Sequence, residues 1–128
     1  MANRPMPPSP GQRPWPVELK LRKAARALDV KFDDGAAFSL PAEYLRVESP
    51  SAEVQGHGES QKKTIPGKRD VTIERLEPVG NYAVRLLFGD GHDSGLFTWD
   101  YLYELGETHD EKWAVYLARL AELGMSRD

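Results

Sequence analysis

The amino-acid sequence predicts an α+β domain: a small antiparallel β-sheet built of hairpins, with a short helix and a C-terminal helix packed on it. Two stretches, residues 28–40 and 82–97, alternate apolar and polar side chains, and each contains the Asp-Gly pair typical of a hairpin turn. Residues 98–123 instead carry apolar side chains at helical spacing. With 128 residues, 40% of them hydrophobic, the chain can bury one core.

The first hairpin is predicted from the apolar face formed by Leu28, Val30 and Phe32. Asp34-Gly35 then supplies the turn, and Phe38 and Leu40 continue the apolar face on the returning strand.

The second hairpin is predicted from the alternation that runs from Tyr82 to Phe88. Asp90-Gly91 should turn the chain into a strand from Ser94 to Phe97. A neighbouring strand is expected over Val71 to Leu76, and Pro78-Val-Gly-Asn81 should form the turn that joins the two.

Two helices are expected after the hairpins. The shorter runs from about Thr98 to Leu105, and its periodicity directs Trp99, Leu102 and Leu105 toward the core. Thr108 and Glu111 predict a capping box at the start of the longer helix. The face expected to cover the sheet consists of Trp113, Tyr116, Leu117, Leu120 and Leu123, and Gly124 should form the C-terminal cap.

The domain boundaries follow from composition. Six of the ten prolines lie in residues 1–16, which have few apolar side chains, so this segment is expected to be a disordered tail. A proline-rich ligand for an aromatic groove is the competing interpretation. The folded domain should span residues 17–124, with residues 125–128 as a second tail.

Charge and cysteine usage exclude several classes of function. A formal net charge of −3 and a pI near 5.6 give no general attraction to nucleic acid or to an anionic membrane. The absence of cysteine excludes disulfides and thiolate chemistry. No apolar run is long enough to span a bilayer, and no secretory signal is present. We therefore expect a cytoplasmic protein and a monomer.

Three separated segments carry a family resemblance: residues 44–58, residues 67–71 and residues 88–106, the last of which contains Gly-Asp-Gly-His-Asp-Ser-Gly. In order and spacing they resemble the gamma-butyrobetaine hydroxylase-like N-terminal domain, a family of largely unknown function, over nearly the whole chain. The resemblance implies strands over Leu19 to Leu28, which local propensity alone would make helical.

The resemblance also implies where a metal would lie. In carnitine-pathway hydroxylases the similar domain holds zinc through three cysteines of one loop and a distant histidine. His92 matches that histidine, but Ser49, Ser51 and Val54 stand at the cysteine positions. Neither a hydroxyl nor an isopropyl group replaces a thiolate ligand, so we expect a stand-alone member of the family without stoichiometric zinc.

A different metal site remains an alternative. His92 with His57 and the carboxylates of Glu53 and Glu48 would suit a weakly bound divalent iron, manganese, nickel or zinc ion. In the competing interpretation, His92 is a turn residue left from a metal-binding ancestor. His57-Gly-Glu59 followed by His92 imitates the facial triad of iron oxygenases, but that triad requires a large barrel that this chain does not resemble.

Two further groups of side chains are candidates for binding. The cations Lys62, Lys63, Lys68 and Arg69 could hold phosphate or an acidic partner, although a solvated loop is the simpler interpretation. Tyr101 and Tyr103 could form an amphipathic patch for a protein partner, while Trp99 is expected in the core.

We therefore expect no enzyme activity but an accessory or interaction module. Domains similar to this one precede an iron oxygenase domain or are attached to P-loop iron–sulfur carrier proteins, which implies a metalloprotein or iron–sulfur protein as partner. The alternative is a metal-binding protein or small enzyme centred on His92 and His57. We also expect the glycine-rich loop around His92 and the loop after Arg46 to adjoin, bringing the candidate residues onto one surface.

Overall fold

The computed structural model describes residues 14–56 and 62–128. The predicted α+β class is confirmed, but the hairpins form two three-stranded antiparallel sheets rather than one. The proline-rich segment 1–13, most of the predicted N-terminal tail, lies outside the described residues, as do His57 and Glu59.

The first sheet contains strands β1 (Pro16–Arg22), β2 (Ala27–Phe32) and β3 (Ala37–Pro41), in that order. Leu28, Val30 and Phe32 on β2 are buried as the alternation predicted. The stretch with helical propensity forms strand, turn and strand, because pairing of β1 with β2 buries apolar side chains that an isolated helix would leave exposed. Arg26 completes the turn with a positive φ of 52°.

The second sheet contains strands β4 (Ile73–Val79), β5 (Ala83–Phe88) and β6 (Leu96–Thr98), in that order. Pro78 was expected in the turn but pairs with Val84 inside the sheet. An edge strand tolerates proline, and the turn instead begins at Gly80, whose φ is 55°. Tyr82, expected on the buried face, lies in this turn with 51% of its surface exposed.

The chain between β5 and β6 also departs from the prediction. The Asp90-Gly91 turn forms, and the backbone amide of Phe88 donates to the carbonyl of His92. The returning strand was expected from Ser94, but ladder pairing begins only at Leu96, opposite Arg85. The intervening residues therefore form a loop, which contacts the segment after β3 rather than β5.

Two short helices follow β3, where the sequence analysis predicted no helix. They are α1 (Ala42–Val47) and α2 (Ala52–Gln55), and two longer helices follow the second sheet, α3 (Trp99–Glu107) and α4 (His109–Glu122). Thr98 caps α3 by accepting a hydrogen bond from the amide of Tyr101. Leu102 and Leu105 on α3 are fully buried, as predicted.

The predicted capping box at Thr108 is wrong. The Thr108 hydroxyl donates to the carbonyl of Glu104 at 2.7 Å, so it closes the last turn of α3 instead of capping α4. The reason is that α3 extends to Glu107, two residues beyond its predicted end. The C-terminal cap at Gly124 is confirmed by a φ of 67° and by the hydrogen bond from the amide of Met125 to the carbonyl of Leu120.

Helix α4 is less buried than its periodicity predicts. Tyr116 and Leu120 are buried and pack with Val47 of α1 rather than across a sheet. Leu117 and Leu123, expected on the same face, are 38% and 51% exposed. The buried face of α4 is narrower than predicted, and it packs against Val47 and Ile65 rather than against a sheet.

Residues 125–128, expected to be a tail, pack on the domain. The carbonyls of Ser126 and Arg127 accept hydrogen bonds from the amides of Gly67 and Arg69. The Arg127 guanidinium forms two hydrogen bonds to Glu43 on α1, at 2.7 and 2.8 Å. Within the described part of the chain, no helix is long and apolar enough to cross a membrane.

Candidate functional site

His92 lies where the loop between β5 and β6 contacts the segment between α1 and α2. Its side chain is 4% exposed. Its Nε2 atom lies 2.9 Å from Oγ of Ser49 and 3.4 Å from Oγ of Ser51. The predicted juxtaposition of the two loops is therefore confirmed.

The other ring nitrogen of His92 faces a carboxylate. Nδ1 lies 3.1 Å from Oε1 of Glu53, and the same oxygen accepts a 2.7 Å hydrogen bond from the hydroxyl of Ser94. A carboxylate on Nδ1 favours a proton there, which leaves Nε2 to accept from the Ser49 hydroxyl. The Ser94 hydrogen bond, assisted by the positive charges of Arg46 and Lys63, holds the pKa of Glu53 below its usual value.

Asp90 supports the turn that carries His92. Its carboxylate accepts from Lys68 Nζ at 2.6 Å, from Arg46 Nε at 2.8 Å and from the His92 amide at 3.1 Å. Burial alone would raise the pKa of Asp90, but these three donors outweigh it and lower the pKa to about 2. The aspartate is thus a fixed negative charge beneath the turn.

The environment of His92 favours the neutral imidazole. Burial lowers the pKa of His92, and the nearby positive charge of Arg46 lowers it further. Glu53, Asp90 and Asp93 act in the opposite direction without reversing the shift.

Gly95 allows the two loops to approach this closely. A Cβ atom at this position would lie 2.3 Å from Oγ of Ser49 and 3.3 Å from Cδ of Pro50. Only glycine fits here without displacing the serine. Sequence reasoning missed Gly95, Arg46 and Asp90 as parts of the site.

The cluster unites only part of the predicted ligand set. The carboxylate of Glu48 pairs with Lys62 at 2.5 Å, and Val54 contributes a buried apolar side chain. His57 lies outside the described residues. Among the residues that are described, no group of three or more His, Asp and Glu side chains could hold a metal ion. The geometry joins His92 to Glu53 and the two serines.

Most side chains of the other two predicted binding groups are engaged by carboxylates or backbone carbonyls of the domain. The basic cluster is divided among three carboxylates, since Lys62 pairs with Glu48, Lys68 with Asp90 and Arg69 with Asp128. The half-buried tyrosines 101 and 103 pack against the core, and their hydroxyls donate to the Glu48 carbonyl and to Asp34. Half-buried Trp99 donates to the carbonyl of Asn81.

Two cavities lie near the cluster without reaching it. One, of about 490 Å³, lies between residues 62–64 and helices α3 and α4, with Glu48 in its lining. The other, of about 330 Å³, lies between residues 67–72 and the C-terminal residues. Neither is lined by Ser49 or His92.

Comparison with known proteins supports the resemblance. The family model for the gamma-butyrobetaine hydroxylase-like N-terminal domain matches residues 19–103. Two NMR solution structures are similar: one is 52% identical with a TM-score of 0.79 and covers 90% of each chain. The other is 46% identical with a TM-score of 0.80 and covers 96% of this chain and 91% of its own.

A crystal structure is similar over a shorter stretch. It is of a protein of unknown function in the DUF971 family from Acidithiobacillus ferrooxidans, 38% identical, with a TM-score of 0.61. The match covers 71% of this chain and 91% of that one. No curated protein matches the chain.

Proposed function

Because the chain belongs to the gamma-butyrobetaine hydroxylase-like N-terminal domain family, we propose that it is a non-catalytic module that docks onto a cytoplasmic metalloprotein or iron–sulfur protein. The observation that carries the non-catalytic part is the burial of Ser49 and His92. As whole residues they are 0% and 8% exposed, so the serine hydroxyl and the imidazole are withdrawn from a substrate, while the Glu53 carboxylate on the outer side of the cluster stays exposed.

The connectivity of the cluster is that of a hydrolase triad, which makes its burial decisive. Ser49, His92 and Glu53 occur in the order nucleophile, base and acid, at 2.9 and 3.1 Å. A nucleophilic serine must also reach a substrate carbonyl beside oxyanion donors. The Ser49 hydroxyl instead packs against Gly95 in a space too small for one added methyl group. We therefore assign the hydrogen bonds a structural role.

The same contacts disfavour the metal-binding alternative. Both imidazole nitrogens of His92 already have polar neighbours, Ser49 on one side and Glu53 on the other. A metal ion would have to displace one of them and find two or more additional ligands. A hydrogen-bonded cluster performs the task that a metal performs in a cysteine-bearing relative, which is to fasten two loops together.

The proposed class of partner, a metalloprotein or iron–sulfur protein, is inferred from the family. Domains that resemble this one are joined to oxygenase or iron–sulfur carrier domains, so a free-standing copy is suited to meeting such a protein as a separate chain. Docking of this kind requires a rigid surface rather than a reactive group. The hydrogen-bonded cluster and the paired C-terminal residues supply that rigidity.

Affinity purification from the native cells tests the proposal. The tagged chain should retain a metal-dependent or iron–sulfur protein in near-equal amount, whereas a tag-only control should not. Two measurements on the same sample test the alternatives. Labelling of Ser49 by a fluorophosphonate probe, or one iron or zinc per chain that is lost on His92→Ala, would contradict the proposal.

A further inference from the structure

Residues 125–128 form a strap that follows α4 and packs against the segment around Lys68. The backbone amides on either side of Lys68, those of Gly67 and Arg69, donate to carbonyls of the strap at 2.9 and 3.0 Å. A lysine whose two neighbouring amides are both engaged has little freedom to shift its backbone. The docked strap therefore fixes the position of Lys68.

The main side-chain anchor of the strap is Arg127. Its guanidinium donates two hydrogen bonds to Glu43 and lies 5.2 Å from the ring centroid of Trp113. The other side-chain contact, between Asp128 and Arg69, is exposed on both sides and contributes little. Since Glu43 lies on α1 and Trp113 on α4, removal of the guanidinium releases the strap without altering the segment that the strap covers.

The side chain of Lys68 connects this segment to the turn that carries His92. Its Nζ atom lies 2.6 Å from Oδ2 of Asp90, and Oδ1 of the same carboxylate accepts a hydrogen bond from the His92 amide at 3.1 Å. One carboxylate thus joins the lysine to the turn. Arg46 also donates to Oδ2, at 2.8 Å, so loss of the lysine would loosen Asp90 rather than free it.

The 330 Å³ cavity gives this connection room to move. Its lining includes Lys68 and Asp90 together with Arg127 and Asp128 of the strap. A side chain that borders such a space can change position, whereas one in a close-packed core cannot. Coupling between separate sites requires an element with two arrangements that both sites favour differently, and Lys68 meets that requirement.

We propose that the strap is a conformational device that controls how often the loop around His92 opens, acting through Lys68 and Asp90. With the strap docked, Lys68 holds the carboxylate beneath the turn, and His92 stays buried against Ser49. With the strap released, Lys68 leaves the carboxylate and the loop opens more often. Because coupling is reciprocal, opening of the loop also weakens docking of the strap. The device operates whatever the docking partner is, so it goes beyond the proposed function.

Native-state hydrogen exchange of the His92 amide tests the device, because that amide donates to Asp90. Measurement by NMR at several low urea concentrations separates local opening, which is insensitive to urea, from global unfolding. Arg127→Ala should raise the rate of exchange through local opening about three- to tenfold. Arg119→Ala is the matched control on α4, because its contact with Glu122 is exposed on both sides, and should leave the rate within about twofold.

A double-mutant cycle tests the route through Lys68. Lys68→Met, which keeps the stem and removes the ammonium group, should raise the same rate at least as much as Arg127→Ala does. Adding Arg127→Ala to Lys68→Met should then raise the rate less than about twofold further, because the connection is already broken. If Arg127→Ala prevents folding, Arg127→Lys takes its place, since lysine keeps the charge but cannot make the two-point contact.

Three results would overturn the device. They are an unchanged exchange rate at His92 after release of the strap, an equal increase in Arg119→Ala, and effects of Arg127→Ala and Lys68→Met that multiply in the double variant.

Discussion

Nε2 of His92 lies 2.9 Å from Oγ of Ser49, although 43 residues separate the two in the chain. Ser51 and Glu53 complete a polar cluster at the same point. The two loops thus meet through contacts of one imidazole with two hydroxyls and a carboxylate.

The proximity of His92 to Ser49 and Ser51 predicts that a zinc site can be engineered between the two loops. The variant Ser49→Cys/Ser51→Cys/Val54→Cys should bind one zinc per chain, because three thiolates and one imidazole form a closed tetrahedral set. The natural chain should contain no stoichiometric zinc. Elemental analysis and competition with a zinc-binding dye measure both. Adding His92→Ala to the triple variant should weaken zinc binding by at least about tenfold; equal affinity would show that the histidine is not a ligand.

Gly95→Ala should destabilise the domain by about 1 to 3 kcal/mol, the range for overpacking a buried site. The new methyl group would overlap Oγ of Ser49, which lies 2.3 Å from the position of the added Cβ. Urea unfolding measures the loss. In a Ser49→Ala background the same change should cost less, because the overlapping atom is gone. Equal costs in the two backgrounds would mean that Ser49 is not the obstacle.

Asp90 should make stability depend on pH in the acidic range. Its pKa falls from an ordinary 3.8 to about 2 in the fold. A depressed pKa means that the unfolded chain binds the proton first, so the stabilisation is complete above about pH 5 and is mostly lost as the pH falls to about 2. It amounts to about 2 kcal/mol. Asp90→Asn should flatten this part of the urea-unfolding profile, while Asp93→Asn, in an exposed position, should not.

Arg127→Ala should cost about 2 to 4 kcal/mol of stability, because it leaves the carboxylate of Glu43 buried without its guanidinium. The side chain of Glu43 is 8% exposed and that of Arg127 30%. Arg127 also lies 5.2 Å from the ring centroid of Trp113. Arg119→Ala is the control, since its 3.8 Å contact with Glu122 is exposed on both sides and should contribute less than about 1 kcal/mol. Similar losses of stability for Arg127→Ala and Arg119→Ala would contradict the view that Arg127 neutralises a buried carboxylate.

The sequence predicted the sheet residues well because burial follows alternation. Leu28, Val30 and Phe32 are buried as expected, and Leu102 and Leu105 occupy the predicted core face of α3. The errors fell where local rules compete with tertiary contacts. Thr108 satisfies a cap motif but follows an extended α3.

The sequence predicted which residues belong to the site better than it predicted which of them contact each other. Family positions led to His92, Ser49 and Ser51, and the structure joins them. Glu48, from the same segment, pairs instead with Lys62. Loop residues carry no periodicity that would have revealed α1 and α2.

The arrangement of the two sheets bears on how the protein folds. Each sheet comes from one uninterrupted stretch, residues 16–41 for the first and residues 73–98 for the second, and every strand pairs with its neighbour in sequence. Such local pairing lowers contact order, so each meander can form quickly and by itself. The contact between His92 and Ser49 joins the two halves and should be made late. Native-state hydrogen exchange should accordingly divide the amides into two cooperative units, with the amides around His92 protected only when both are formed.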